Sequence, residues 1–467
     1  MWNNLFALSK INYLTLINKK GFIVAILLLI IVGLFIIPRN NANYVTFYIG
    51  GYTGYPNSFW VGNLGAILSN FVISLIAFFF LEGAYAEEKH NGVGLLINGT
   101  ACTNFQLLLF KWLSYIYLVF TLLGIIAITL FFINIKSAEL VGFVKPFLIY
   151  SIPYLVLLSF FVLFLDYIVN SRGVKITVFL LVILFAFSPL AGKYFDFLGA
   201  NNFVDHVKYY IIETREKNLT YGIGYIKSIN ITYKNVPELT WDMNILGYKL
   251  FLIGLATLIL YLSTFVFKRY ASTSTANHEI SVKDLNEIPI SIDFSKRDFR
   301  QAVFSPVGKS VRYLISAECA VFRSSFSRNW IAAFLLIYIL SFTLGFKTAS
   351  NFIVPLLFII SFPIFENYIN LNNNSNLDRF FITSIYNDIE RQLAQICILI
   401  VYFIICMLPV LIYRELAQNL ISIFEISILS LVAILTSKYL RSIKPFEIIY
   451  IIIFGSYLAG APIFKFF

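Results

Sequence analysis

The apolar residues of this chain occur in long uncharged runs, and these runs restrict its fold more than any other feature. Wound as an α-helix, a run of about 20 apolar residues matches the hydrocarbon thickness of a bilayer. Charged residues make up only 13% of the chain, whereas an ordinary soluble domain has about 25%. The strands of a membrane barrel would instead alternate in hydrophobicity over about 10 residues. The sequence therefore predicts an all-α polytopic membrane protein.

Eleven runs are candidate transmembrane helices, because inside lipid a helix satisfies its own backbone hydrogen bonds. The candidate spans are residues 21–37, 59–81, 107–133, 147–169, 174–190, 250–267, 330–346, 351–365, 396–412, 420–435 and 448–464. No small-residue cleavage site closes the first run, so it is predicted to be a span and not a cleaved signal peptide.

Lysine and arginine are unevenly distributed among the loops between these runs. Lys10, Lys19 and Lys20 precede the first run, and residues 268–328 contain ten Lys or Arg. These groups share one side if the N-terminus is cytoplasmic, as the positive-inside rule requires. We expect a multi-pass protein of the bacterial inner (plasma) membrane with its N-terminus inside. The net charge of +11 then reflects orientation in the membrane, and no nucleic-acid partner is expected.

Two polar segments are long enough to have structure of their own. Residues 195–247 are predicted to form a small external lobe, and the alternating stretch 225–233 in it resembles a strand. Residues 268–309 are predicted to be a cytoplasmic linker. The following residues, 311–329, have the pattern of an amphipathic helix that lies along the membrane surface.

The motifs of most enzymes are missing from the sequence. There is no GxxxxGK(S/T) loop to bind ATP phosphates. His206 is predicted to lie across the membrane from His90 and His278, and no zinc-ligand spacing occurs. We therefore expect no catalytic, cofactor-binding or metal-binding residues in this chain. A transporter or a membrane scaffold is favoured over an enzyme.

The segment after the second run resembles a known family. It is similar to the type-2 permeases of ATP-binding-cassette (ABC) transporters, in which this stretch is the coupling helix that docks on a separate ATPase subunit. The residues that match the family pattern are Glu88, Lys89, Gly92, Leu95, Leu96 and Thr100, followed by Lys111 in the next run. Ala101 stands where the family usually has proline, which is a departure from the pattern.

The second half of the chain is similar to a partial repeat of the first. Residues 317–328 resemble the interfacial helix that opens such permeases. Asp378, Arg379 and Thr383 stand where a second coupling segment would be. The resemblance implies two tandem six-span-like permease halves, residues 1–267 and 310–467, with one span missing from the second.

The resemblance implies the membrane-spanning subunit of an ABC exporter that moves an unknown substrate across the inner membrane. Separate P-loop ATPase subunits, two of them if the repeat is real, would bind ATP and Mg²⁺ and hydrolyse the nucleotide. The chain itself would carry no cofactor. Its other expected partners are membrane lipid and, if it supplies only one half, a second permease copy or another membrane subunit.

Two other functions remain open on the sequence. Glu425 and Asp166 are carboxylates within predicted spans, and intramembrane carboxylates are functional candidates because burying their charge is costly. An ion-coupled secondary transporter would use one of them to bind a proton or sodium. Each could equally be a structural hydrogen-bonding group, which is the preferred interpretation for Asp166 near the end of its span. The third alternative is a scaffold of a secretion or motility apparatus.

Overall fold

The structure of the chain is a computed structural model. The described residues are 2–19, 21–38, 42, 44–85, 88, 102–135, 139–169, 171–187, 196–211, 221–227, 232–237, 243–266, 307–324, 334–335, 337–339, 342, 354–372, 388–412, 416–440, 446–447 and 450. The chain divides into two compact units. The first contains Met1–Asn170 and Phe179–Thr273, and the second contains Ser171–Val178 and Ser274–Phe467.

The first unit is built mainly from long apolar helices. Its helices are α1 (Trp2–Ile17), α2 (Gly21–Ile36), α3 (Ser58–Leu81), α4 (Asn104–Ile133), α5 (Leu140–Pro146), α6 (Ile152–Ile168), α8 (Ala200–Ile211) and α9 (Met243–Val266). A π-helix, Phe147–Ser151, joins α5 to α6. A further helix among the described residues, α7 (Arg172–Phe187), contains residues of both units.

Among the described residues, six helical segments are long and apolar enough to cross a membrane. They are Ser58–Leu81, Asn104–Ile133, Leu140–Ile168, Ile245–Phe265, Glu390–Pro409 and Gln418–Thr436. The pair α1 and α2 makes a seventh if the two helices, which meet at a bend of 76°, count as one span. The prediction of a helical, membrane-spanning protein is therefore confirmed.

The predicted number of eleven spans is not confirmed. The run at 174–190 is the 16-residue helix α7, and the run at 351–365 overlaps a shorter apolar helix, Leu356–Tyr368. The runs at 330–346 and 448–464 fall largely outside the described residues. Their spans stay predictions.

Helix α3 and the α5–π–α6 segment run side by side in the same direction. Hydrogen bonds join them at the beginning, middle and end: Glu139 N–H to Ser58 Oγ at 2.6 Å, Ser74 Oγ with Tyr154 OH at 2.7 Å, and Gly83 N–H to Asp166 Oδ1 at 2.9 Å. The partners are separated by 81, 80 and 83 residues along the chain. This nearly constant separation fixes the register of the two segments over their whole length.

Helix α1 packs along α4 through polar contacts. The Asn12 amide donates to Ser114 Oγ at 2.6 Å, and the Tyr13 and Thr121 hydroxyls lie 2.9 Å apart. Both contacts are part-buried, where a satisfied polar pair is favourable and an unsatisfied one is not. They hold α1 against the side of α4.

The first unit also contains a small four-stranded sheet. Its strands are β1 (Tyr44–Ile49), β2 (Tyr52–Gly54), β3 (Tyr221–Lys227) and β4 (Thr232–Lys234), in the order β3-β1-β2-β4. Gly50 and Gly51 have positive φ angles of 54° and 87°, which a two-residue hairpin turn requires. The stretch predicted as a strand at 225–233 contributes to β3 and β4, whereas β1 and β2 were not predicted.

The sheet packs on α3 and α8 through aromatic rings. Phe203 of α8 contacts Phe47 of β1 with ring centroids 5.1 Å apart and Trp60 of α3 at 5.4 Å. Gly54 of β2 lies so close to the Trp60 ring that an added Cβ would be 2.3 Å from it. Strand β2 thus needs glycine at this position.

The second unit contains four helices among its described residues. They are α10 (Val307–Ser324), α11 (Val354–Asn372), α12 (Asp388–Leu411) and α13 (Leu416–Leu440). Helix α10 lies against α11 and α12, and α12 lies against α13. Helix α10 covers most of the stretch predicted at 311–329 as an amphipathic helix.

Candidate functional site

The residues directly after α3 begin the predicted coupling segment. Polar contacts join them to two other helices, α6 and α4. Helix α3 ends at Leu81. Gly83 has a φ of +83°, a conformation that glycine adopts without strain. The chain therefore turns at Gly83 as it leaves the helix, and the backbone N–H groups of Gly83 and Tyr85 donate to a neighbouring helix.

The first tie is made by Asp166, near the end of α6. Its Oδ1 accepts the N–H of Gly83 and its Oδ2 accepts the N–H of Tyr85, both at 2.9 Å. Asp166 is 4% exposed. Hydrogen bonds from N–H groups to a carboxylate are roughly twice as strong as neutral ones. Both carboxylate oxygens thus fix the backbone of the segment to α6.

The second tie is an ion pair between Glu88 and Lys111 of α4. The Lys111 ammonium donates to Glu88 Oε2. The Lys111 side chain is 4% exposed and that of Glu88 is 21% exposed. The same ammonium lies 5.2 Å from the centre of the Tyr85 ring, in cation–π geometry. Two residues that the family resemblance singled out are therefore brought together.

Tyr85 contacts both groups: its backbone N–H donates to Asp166 and its ring faces the Lys111 ammonium. Its ring contacts that of Tyr167 edge to face at 5.8 Å. Burial raises the pKa of the Tyr85 phenol to about 12, and Tyr167, Glu88 and Asp166 add to the increase by coulombic repulsion. The phenol is thus neutral at physiological pH. It adds no charge to the group formed by Asp166, Glu88 and Lys111.

The remaining predicted coupling residues lie outside the part of the chain that the structure describes. Those of the first segment, Lys89, Gly92, Leu95, Leu96 and Thr100, lie outside the described residues. The same is true of Asp378, Arg379 and Thr383 in the second segment. Their roles stay predictions.

Of the two predicted intramembrane carboxylates, only Asp166 is nearly fully buried, at 4% exposed. Glu425 is half-buried, in the middle of α13. Within the described part of the chain, no group of three or more His, Cys, Asp or Glu is arranged to hold a metal ion.

A second buried carboxylate, which sequence reasoning missed, lies in the second unit. Glu318 of α10 is completely buried and accepts three hydrogen bonds. The donors are Tyr368 OH of α11 at 3.0 Å, Arg391 Nε of α12 at 3.0 Å and Gln395 Nε2 of α12 at 3.2 Å. One carboxylate thus joins three helices. The signal in the sequence was a single acidic residue within the amphipathic pattern of α10.

Comparison with known proteins gives no match: no protein-family model, no curated protein and no solved structure is similar to this chain. Its function has to be argued from its own residues and from the family resemblance of the segment after α3.

Proposed function

We propose that this chain is the membrane-spanning subunit of an ABC exporter, driven by ATP hydrolysis in separate P-loop ATPase subunits. The observation that carries the proposal is the double attachment of the segment after α3. Asp166 fixes its backbone to α6, and Lys111 fixes Glu88 to α4. An ordinary solvated loop between two spans has no need of a buried ion pair and a buried carboxylate at its base.

The double attachment gives the segment a mechanical role. Movement of a coupling helix by an ATPase would be transmitted through Asp166 to α6 and through Lys111 to α4. Because α3 is also joined to α6 at Ser74 and Tyr154, the three helices would move together. ATP binding in the partner would in this way change the access of the membrane domain, with the substrate undefined. The segment would lie on the cytoplasmic side, in agreement with the charge distribution of the loops.

The experiment that tests this proposal is copurification of the chain with its ATPase. Gly92→Trp, or Leu95→Asp together with Leu96→Asp, is expected to reduce the bound ATPase at least tenfold, since anchors at this helical spacing fill a partner's groove. The matched control is Gly247→Trp in α9, where an added Cβ meets nothing within 4 Å. Full ATPase association of both folded, membrane-inserted variants would contradict the proposal.

The second predicted segment makes the stoichiometry informative. If both halves dock, charge reversal at Asp378 and Arg379 with Thr383→Trp is expected to leave one ATPase bound per chain where two were bound before. One ATPase per chain both before and after the change would restrict docking to the first segment, and a second permease copy would then supply the other half.

The alternative function, an ion-coupled secondary transporter, is retained because of one observation. Glu425 is a half-buried carboxylate in a helix that is long and apolar enough to cross a membrane. If transport depends on a proton or sodium ion at this residue, Glu425→Gln abolishes transport while ATPase association stays intact. No described residue favours the scaffold alternative.

A further inference from the structure

Several buried side-chain polar atoms of the first unit have no hydrogen-bond partner among the described residues. Four of them are Ser69 Oγ and both side-chain polar atoms of Asn70 in α3, and Ser151 Oγ in the π-helix. All three residues are 0% exposed. Lipid supplies no hydrogen bonds, so polar groups buried in a membrane protein normally pair with one another. Such a group of unpaired atoms requires an explanation.

The register of α3 and α6 places these atoms at one depth. Hydrogen-bonded partners on the two segments are separated by 80 to 83 residues. The same separation places Ser69 at the depth of Tyr150 and Asn70 at the depth of Ser151. Asn70 is also near the middle of the 24-residue helix α3. The unpaired atoms therefore form a polar layer, Ser69, Asn70 and Ser151, halfway across the span.

The backbone changes at the same depth. Ser151 is the last residue of the π-helix, which has Pro146 before it and Pro153 after it. Proline has no backbone N–H to donate, and a π-helix turn is wider than an α-helix turn. Such turns occur frequently at functional sites. The irregular backbone and the unpaired side chains thus coincide.

Helix packing alone does not account for the polar layer. One turn along α3, the Ser74 and Tyr154 hydroxyls pair directly at 2.7 Å, which is the usual way in which polar groups join membrane helices. Ser69, Asn70 and Ser151 make no such bond among the described residues. A second copy of the chain cannot supply partners either, because all three residues are fully buried within one unit.

The free groups determine the kind of ligand that fits. Asn70 offers both a donor and an acceptor, and each serine hydroxyl can be either. A bare cation would leave the Asn70 amide donor unpaired. No charged residue occurs in α3, in the π-helix or in α6 before Asp166. Lys249 lies over the Tyr150 ring at 5.4 Å, but its ammonium already donates to the Asp196 and Phe197 carbonyls.

We propose that Ser69, Asn70 and Ser151 form a binding site for a neutral hydroxyl- or amide-bearing group of the transported molecule. The inference rests on the proposed transport function and adds the substrate's chemistry to it: the molecule carries an uncharged polar group that passes through the middle of the membrane domain. In the structure the site is enclosed.

The test uses the full chain, with its four native cysteines replaced by alanine, in lipid vesicles. Ser151→Cys is treated with 2-hydroxyethyl methanethiosulfonate, a neutral reagent with one hydroxyl group. The control is Leu118→Cys in α4, which is equally buried and apolar. The Ser151→Cys thiol is expected to react at least tenfold faster than the control. Equal rates would overturn the proposal, because a sealed site that holds only ordered water gives that result.

A second variant separates recognition from simple access. Adding Asn70→Leu is expected to slow the hydroxyl reagent at Ser151→Cys at least fivefold and to change the rate with methyl methanethiosulfonate, which lacks the hydroxyl, less than twofold. Equal effects on both reagents, or no effect, would overturn the proposal. These measurements need no ATPase. Full ATPase association of the coupling-segment variants would refute the exporter function and leave the polar site standing.

Discussion

At the scale of single residues, the described part of the first unit buries few charges, and Lys111 illustrates how one is held. Its ammonium is nearly inaccessible to solvent, whereas Glu88 keeps 21% of its side-chain surface exposed. A buried ion pair adds little net stability, but removal of one partner leaves the other charge uncompensated. The two single substitutions should therefore differ in cost.

Glu88→Leu is expected to lower the free energy of unfolding by about 3–5 kcal/mol, because it removes the carboxylate to which the deeply buried ammonium donates. Lys111→Met should cost only about 1–3 kcal/mol, since the carboxylate that remains is partly hydrated. The measurement is reversible unfolding of the purified chain. The double variant should be more stable than Glu88→Leu alone. A larger cost for Lys111→Met than for Glu88→Leu would contradict this account.

At the scale of helices and strands, the Glu318 carboxylate joins α10 to α11 and α12 by hydrogen bonds. Tyr368, Arg391 and Gln395 all donate to one carboxylate. The interaction is between elements far apart in sequence, the partners being 50, 73 and 77 residues from Glu318. Glu318 thus joins α10 to both α11 and α12 in the second unit.

Glu318→Leu is expected to destabilise the second unit by about 3–5 kcal/mol, since it removes the buried carboxylate to which the Arg391 guanidinium donates. Glu390→Leu serves as the control, because Glu390 is exposed and surface substitutions usually change stability by less than about 0.5 kcal/mol. Limited proteolysis near α10, followed over temperature, measures both. If the two variants resist proteolysis near α10 equally well, the hydrogen bonds of Glu318 do not hold α10 in place.

The sequence predicted helices far better than it predicted what joins them. The spans that became α3, α4 and α6 were visible because lipid burial requires uninterrupted apolar runs. The pairing of Glu88 with Lys111 was approached only through the family pattern. The two bonds accepted by Asp166 and the three accepted by Glu318 could not be read from the sequence. They depend on helix register, which local hydrophobicity does not specify.

The sheet was predicted only in part for the same reason. Strand β3 overlaps an alternating stretch that the pattern identified. Its partner β1 is short and comes directly after an apolar helix, where alternation is hard to distinguish from the end of a span. Pairing between segments so distant in sequence is a tertiary event.

At the scale of the whole molecule, the orientation predicted from Lys and Arg in the loops is open to direct measurement. Single cysteines in a cysteine-free background should be labelled by an impermeant thiol reagent from the cytoplasmic side at 268–309. From the opposite side, labelling should occur at 195–247, because the positive-inside rule assigns these segments to opposite faces. Labelling of both segments from one side would disprove the topology and, with it, the cytoplasmic location of the coupling segment.

The pairing of β1 with β3 also has a consequence for biosynthesis. Tyr44 pairs with Lys227, so the ribosome adds about 180 residues between the two strands. Synthesis proceeds at about 5–20 residues per second. Strand β1 is therefore without β3 for about 10–40 s, while α3, α4 and α6 are inserted. During this interval the backbone edge of β1 that β3 later covers is open to other chains. Newly made protein should therefore pass through a short period of vulnerability to mispairing, which ends when β3 emerges.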